Sequence, residues 1–581
     1  MRNPAIPHTR GTAAVGLLLS ACLLLSACTP GGGEAPGSSD GRSPAVEGTV
    51  QDNAALYAND DDDSIVTMYL TVRTGNAADN TDHTWAEVNS LSSYDYETMG
   101  IEKYGCEAIL QVGDEEGPSP DQLGYGVEVP NATVQIRGAT SSRASQKSYQ
   151  IKLKSGAGEW RGQKTIALNK HPYDSSRLRN KLSYDLIKTI PGMIGLRTQF
   201  VHLYVRDQTE GNSDTFVDYG LFTQVEQVNS RYLRNHGLDE YGQLYKATMF
   251  EFYRYPDALK RKDDPTYDQK AFEQILEIKG DDDHTKLLQM LDDLNNYSLD
   301  IEEIFAKYFD EENYFTWLAF QMLTGNQDTT SQNFFLYSPQ SSDRWYFISW
   351  DNDGAWSSGE NALEGISGYH YDRGISNYWG SVLHRRVLQS PVMRQKLDDK
   401  VNEIRSLVTA EVVTAKVAEY QAAIEPYVYS LPDVTHAVGT RGEWMEILRT
   451  IPQEIETNYQ MYLTSLEYPM PFYYDTVTAA EGMLAYTWEN AYDFDDEPLT
   501  YTFELARDYL FEDVISRQEG LLLPQATSDM LPTGQYFIRV TATNASGKTQ
   551  TAQEIYEGLD EVPRYGVRMF YILPDGTLGG V

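Results

Sequence analysis

The stretch from Asn313 to Gly354 constrains this chain more than any other. A helix-forming run, Asn313 to Leu323, gives way at Thr324-Gly325-Asn326 to Asp328, and Asn333 follows five residues later. Two short aromatic-rich runs, Phe334-Phe-Leu-Tyr337 and Trp345-Tyr-Phe-Ile-Ser349, then read as the arms of a β-hairpin, and Asp351-Asn-Asp353-Gly354 comes directly after them. This layout lets one carboxylate orient a hydroxyl nucleophile while an amide oxygen and a second carboxylate hold magnesium against phosphates. With 85 acidic residues in the chain, Asp-x4-Asn pairs arise by chance. Placement between a helix and a hairpin is what gives this pair its weight.

The 581 residues suffice for several domains with cores of their own, and a hydrophobic fraction of 41% excludes wholesale disorder. Residues 1–27 read as a lipoprotein signal peptide: Arg2 and Arg10 precede an apolar run, Thr12 to Leu25, that is short for a membrane span. The run ends in Leu25-Ser26-Ala27-Cys28, which resembles the bacterial lipobox, so Cys28 is the expected lipidation site and the expected location is the cell envelope, facing outside the cytoplasm. Residues 28–62 read as a flexible tether, with Asp60 to Asp63 a solvated acidic boundary.

Removal of the leader takes the net charge from −38 to −40. That charge argues against nucleic acid as a partner and favours basic partners and cations. It leaves the lipid anchor as the chain's membrane contact. Cys106 is the remaining cysteine, so an intramolecular disulfide and thiolate metal sites are excluded.

Residues 63–129 read as a strand-rich extension. Strands are expected at Ala132 to Ile136 and Lys147 to Leu153, joined by the small-residue turn Arg137-Gly-Ala-Thr-Ser-Ser142-Arg143. A helix follows from Arg177 to Ile190, then two strands, Phe200 to Val205 and Asp218 to Gln224, and a short connector. Helices are expected at roughly Gln269 to Ile278, Thr285 to Asn295, Ile301 to Phe309 and Asn313 to Leu323, with more from Ser390 to Leu466. Short alternating strands over 472–557 resemble a fibronectin type III or immunoglobulin-like sandwich, and 558–581 reads as a tail. Asp493, Asp495 and Asp496 read as an acidic turn, with calcium binding the less favoured alternative.

Several separated segments carry a family resemblance: Val134-Gln-Ile-Arg137-Gly138, Lys147-Ser-Tyr-Gln-Ile-Lys152, Asn169 to Leu182, Tyr219 to Val228, Leu244-Tyr-Lys246, Gly325-Asn326-Gln-Asp328, Asn333 and Trp350-Asp351-Asn-Asp353. In this order they resemble the CotH kinase family, over about residues 130 to 466. The resemblance implies an α+β fold: a divergent two-lobed protein-kinase-like core with a strand-rich N-terminal part, here followed by an all-β sandwich. It also implies transfer of the γ-phosphate of ATP with Mg²⁺ or Mn²⁺.

Carried over by position, Asp328 is the expected catalytic base, and Asn333, Asp351 and Asp353 the metal ligands. Gly138, Ser141 and Ser142 are expected to cover the phosphates. Lys152 is expected to pair with them as the third-strand lysine, with Lys147 as its competitor, and Glu226 to Val228 to form the adenine-side hinge. Asp185 is a candidate acidic partner for Lys152. Arg179-Asn180 reads equally as a helix-packing pair or a phosphate contact. The chain lacks a GxGxxG over the nucleotide and a His-Arg before the catalytic Asp, both usual in kinases.

The expected function is therefore an extracytoplasmic serine/threonine protein kinase acting on basic, Ser-rich protein substrates. The sandwich is expected to bind another surface protein or a polysaccharide. The alternative is a silent kinase-like surface adhesin. The presence of Lys152, Asp328, Asn333 and Asp351 together favours catalysis, since a binder needs none of them.

Overall fold

The computed structural model describes residues 50–58, 60–61, 63–211, 213–364, 370–558 and 562–580. The leader, Cys28 and most of the tether lie outside the described residues. Among the described residues no helix is long and apolar enough to cross a membrane.

The first lobe is a closed barrel. Its strands are β1 (Ile65–Arg73), β2 (Gly105–Asp114), the two-residue β3 (Gly117–Pro118), β4 (Ala132–Arg137), β5 (Ser148–Leu153), β6 (Thr165–Asn169), β7 (Thr198–Asp207) and β8 (Val217–Glu226). They pair in the order β1-β7-β8-β6-β5-β4-β2-β3, and β2 returns to β1 to close the sheet. Strand alternation sends Val134, Ile136, Tyr149, Ile151, Ile166 and Leu168 inward to one apolar core. Two short helices, α1 (Trp85–Ser90) and α2 (Ser93–Met99), add Trp85, Val88 and Tyr96 to it. Residues 63–129 are thus built into the barrel wall. One helix, α3 (Arg179–Ile187), interrupts the strands between β6 and β7, and all of its residues are buried.

Residues expected as tether or solvated boundary are docked on this lobe. Asp52 accepts hydrogen bonds from the Gly195 backbone (2.9 Å) and the Tyr57 hydroxyl (2.5 Å) and contacts His236 (2.6 Å). Asp60 pairs with Lys188 at 3.0 Å. The flexible reading fails from residue 50 onward because these carboxylates have specific partners.

The second lobe begins after β8 with α4 (Ser230–Asn235) and β9 (Gln243–Ala247). The helix expected over Gln269 to Ile278 divides into α5 (Gln269–Glu273) and β10 (Leu276–Ile278), because the latter pairs with β9. Helices α6 (Thr285–Leu294), α7 (Ile301–Tyr308) and α8 (Glu311–Leu323) follow, then the hairpin β11 (Phe334–Ser338) and β12 (Tyr346–Ser349). Trp317 of α8 stacks on Phe347 of β12 with centroids 4.6 Å apart. The Asn313 side chain bonds both the N–H (2.6 Å) and the carbonyl (3.1 Å) of Phe347, fixing helix to hairpin. Further helices over 382–466 complete the lobe's core.

The C-terminal strands form a three-stranded and a six-stranded sheet around a common apolar core, with a separate two-stranded pair, Ile555–Glu557 and Pro563–Tyr565, beside them. Val567–Ile572, expected in the tail, pairs with the central strand Gly534–Thr543, so the unit runs beyond 557 almost to the C-terminus. The Asp493 carboxylate caps its own turn, accepting from the backbone of Asp495 (3.0 Å) and Glu497 (3.2 Å) and from Asn544 (3.0 Å), as a plain acidic turn does.

Candidate active site

The hairpin brings the floor of the site together. Phe334 pairs with Ser349, and the Trp350 N–H donates to the Asn333 carbonyl at 3.2 Å. Asn333 therefore sits beside the strand end that leads into Asp351. Both residues adopt left-handed backbone, with φ of 62° and 52°, a conformation that costs energy for a non-glycine residue and clusters at functional sites. Asp328 lies in a single 3-10 turn, Gln327–Thr329. A Cβ placed on Gly354 would stand 3.8 Å from its carboxylate oxygen and 3.5 Å from the Asn326 amide oxygen. The loop after Asp353 thus passes directly under Asp328.

A buried amide network, which sequence reasoning missed, locks these loops. Asn326 Nδ2 donates to Gln321 Oε1 (3.0 Å) and Asn352 Oδ1 (3.2 Å), Ser349 Oγ donates to Asn352 Oδ1 (3.0 Å), and Gln321 Nε2 donates to Ser349 Oγ (2.7 Å). From α3, Asn180 Oδ1 accepts the Asn352 N–H (3.1 Å) and the Tyr184 hydroxyl accepts the Asp351 N–H (2.9 Å). Gly325 turns the chain into this loop at φ 67°, where a Cβ would lie 2.9 Å from Asn458. The one available signal for the network was the density of amides in Gly325-Asn326-Gln327 and Asp351-Asn352-Asp353.

Above this floor lies a cleft of about 410 Å³, lined by Arg137, Ser141, Ser148, Asn169, His171, Pro172, Asn180, Tyr184, Val225, Trp350, Asp351 and Asp353. Burial, and then the adjacent Asp353 carboxylate, push Asp351 up to about 7, against the charges of His171, Arg137 and Lys246. Burial raises Asp353 as well, but the polar contact and charge of His171, whose Nδ1 is 3.9 Å away, together with Arg179, hold it below the ordinary range. An ionised Asp353 that raises its neighbour Asp351 leaves negative charge concentrated at this end of the cleft, which attracts a cation.

Among the described residues no three His, Cys, Asp or Glu side chains converge as a metal cage. Asp351 and Asp353 instead bring carboxylate oxygens into the cleft, with Asn333 beside the strand end that leads into them, and oxygen donors suit a hard ion that keeps waters and shares phosphate oxygens, as Mg²⁺ does.

The roof differs from the expectation. Ser141 lines the cleft, and Gly138 forms the turn beside it, at φ 87° with room for no Cβ, which would fall 2.1 Å from Ser141 Oγ. Ser142 is fully buried and faces α2, accepting from the Ser93 N–H (2.8 Å). Counted from the strand before this turn, Lys152 lies on the second strand, β5, and is exposed. The third strand is β6, Thr165 to Asn169, which contains no lysine. Lys170, just after it, is buried against Asp433 (2.8 Å) and the Tyr219 carbonyl (2.6 Å). Lys147 donates to the Ser142 carbonyl (2.6 Å).

Asp185 is held by Lys181 and Lys188 (both 2.7 Å), so it is no partner for Lys152. Glu226 is buried with Arg197 (3.0 Å) and His236 (3.2 Å), and Val228 is in the core; Val225 is the residue here that lines the cleft. Arg179 pairs with Glu360 and is a packing residue, whereas its neighbour Asn180 reaches the cleft.

The family model described as CotH kinase protein matches residues 134–462, more than half of the chain and the whole cleft. The chain belongs to the CotH kinase family. Inner spore coat protein H of Bacillus subtilis (strain 168) is 22% identical over 320 residues, covering 55% of this chain and 83% of that protein. Among solved structures, the Helicobacter pylori proinflammatory kinase CtkA matches at 8% identity over 54% of this chain and 94% of its own, with a TM-score of 0.25. At that score the α+β kinase-like assignment rests on the family and on the two lobes described above. A CotH kinase uses ATP and a divalent metal as kinases in general do, and the carboxylate floor has the donor chemistry for the metal.

Proposed function

We propose that this CotH kinase transfers the γ-phosphate of ATP, with Mg²⁺, to Ser or Thr hydroxyls of secreted or surface proteins, working outside the cytoplasm from a lipid anchor at Cys28. The observation that carries the reading is that Asp351 and Asp353 line one cleft together with Arg137 and His171, with Asp328 next to the same loop. Asp351, Asp353 and Asn333 would hold the metal, which when bound draws charge from the transferring phosphoryl group. Asp328 orients the acceptor hydroxyl and takes its proton as the new O–P bond forms and ADP leaves. A relative named for the inner spore coat supports a coat or envelope setting. The acidic chain suits basic, Ser-rich substrates by long-range attraction.

The test is calorimetric titration of ATP with and without Mg²⁺ or Mn²⁺, followed by phosphate transfer to a basic Ser-rich peptide. Metal-dependent binding is expected. Asp328→Asn should lower transfer by about 10²–10⁴-fold with nucleotide affinity unchanged. Substantial turnover by that variant removes Asp328 from the base role. Absence of nucleotide binding by folded wild-type protein under every metal condition turns the assignment to a silent surface adhesin.

A further inference from the structure

The third strand offers no lysine, yet the cleft has cationic donors. We propose that Arg137, with His171 beside it, is the phosphate-pairing group of this site and that Lys152 takes no part in it; the assignment rests on the kinase reading above.

Arg137 ends β4 opposite Ser148 of β5, and both line the cleft. Lys152 pairs with Thr133 at the other end of the same two strands. Lys152 lies four positions on from Ser148, about 13 Å along extended chain. Lys152 therefore points outward on the same side of the sheet as Arg137, far from Asp351.

The donors facing the cleft lack acceptors. Arg137 Nη1 and His171 Nε2 are both buried without a hydrogen-bond partner, and His171 is only 6% exposed. Buried polar groups are almost always paired in native proteins, so an unsatisfied guanidinium N–H and an unsatisfied imidazole nitrogen from two residues that line one cleft mark where a ligand docks, and the permanent cation Arg137 makes that ligand an anion. A guanidinium offers a planar fork matched to phosphate, which the point charge of a lysine lacks. The division of labour is chemical. Asp351 and Asp353 are acceptors and take the cation; Arg137 and the His171 ring take the phosphate oxygens. Gly138, directly after Arg137, turns the chain at φ 87° toward Ser141, which lines the same cleft.

The probes are ADP, inorganic tripolyphosphate and adenosine, each titrated calorimetrically with Mg²⁺ into the wild-type protein, Arg137→Met and Lys152→Met. Arg137→Met should weaken tripolyphosphate and ADP by about ten- to hundredfold, the range for hydrogen bonds to charged groups, and leave adenosine unchanged. Lys152→Met should stay within about twofold of wild type for all three. Thermal melts establish that each variant is folded. Should Arg137→Met fail to fold, phenylglyoxal labelling of wild-type Arg137, read by mass spectrometry, replaces it: Mg-ADP should block the labelling and adenosine should not.

Wild-type affinity for tripolyphosphate in Arg137→Met, unblocked labelling, or an equal loss in Lys152→Met overturns the assignment while the kinase reading stands. Failure of wild-type protein to bind both ADP and tripolyphosphate overturns the two together.

Discussion

On the floor side, Asp351 and Asp353, which line the cleft, and Asn326, Asp328 and Asn333, which lie in the loops beside them, come from one continuous stretch ending at Gly354. Along the roof, Arg137, Ser148, Asn169 and Val225 come from four strands, β4, β5, β6 and β8, whose neighbours in the barrel are not all their neighbours in the chain. The floor is a local object. A hairpin returns on itself within a few residues, so whatever brackets it is brought together by covalent proximity. The roof exists only once the barrel has closed, and its composition depends on which end of each strand meets the second lobe. Strand alternation sets Lys152 on the face opposite Tyr149, Ile151 and Leu153, but it carries no information about position along the strand axis. That second coordinate separates Lys152 from Arg137.

The largest expected effect tests the floor. Asp351→Ala removes one of two coupled acceptors and should cost about 2–5 kcal/mol of metal-dependent nucleotide affinity, the range for truncating a buried charge partner. Calorimetry with Mg²⁺ measures it. An unchanged affinity would detach the metal from the hairpin and make the floor a merely structural feature.

The roof side is sharpened by Glu226, expected as a nucleotide contact and found in a buried ion pair. Burial raises it, but His236 and Arg197 outweigh this and bring it down to about 2 from 4.5. A folded value below the unfolded one stabilises the native state above about pH 4.5, and that contribution is lost as pH falls toward 2. The shift corresponds to about 3 kcal/mol at pH 7. Glu226→Gln should lose roughly that amount in urea unfolding at pH 7, with the gap to wild type closing as pH falls below 4.5. Nucleotide affinity per folded molecule should not move. A variant that unfolds like wild type at pH 7 but binds nucleotide poorly would return Glu226 to the cleft.

The legible parts of this molecule follow the same division. The helix, turn and hairpin that carry Asp328, Asn333 and Asp351 are readable because each has its own local signal. The barrel is not, since β1 and β2 close it through pairings distant in sequence. Nor is the last part of the sandwich: Val567–Ile572 is short and follows a polar segment, and only its pairing with Gly534–Thr543 shows it to be a central element. For Asn352 the only sign is the local density of amides, and Gln321 gives none, because a buried amide is defined by partners from other elements. Asn352→Ala should cost about 1–3 kcal/mol, the penalty for leaving buried partners unsatisfied, and lower transfer more than it lowers melting temperature. A loss confined to stability would show that the network holds the fold and not the alignment of Asp351 with Asp328.

The smallest expected effect asks whether the floor is as self-sufficient as its contiguity suggests. Two of its residues are bound by the segment 370–380: Thr330 Oγ1 donates to the Asn377 carbonyl (3.0 Å), and Thr329 shares a hydrogen bond with the Tyr378 hydroxyl (2.9 Å). Asn377 Nδ2 also donates to the Gln327 carbonyl beside Asp328 (3.0 Å). The other end of that segment is held by the two-stranded pair beside the C-terminal sandwich, where the Tyr565 hydroxyl donates to Asp372 at 3.0 Å and its ring stacks on His370. Tyr565→Phe removes one hydrogen bond to a carboxylate and should cost at most about 1 kcal/mol of stability, as a partly exposed contact does. If this pair steadies the loop that carries Asp328, transfer should fall several-fold at unchanged nucleotide affinity. If transfer is unchanged, the contact stops at Asp372, and the floor depends on its own hairpin and amide network alone.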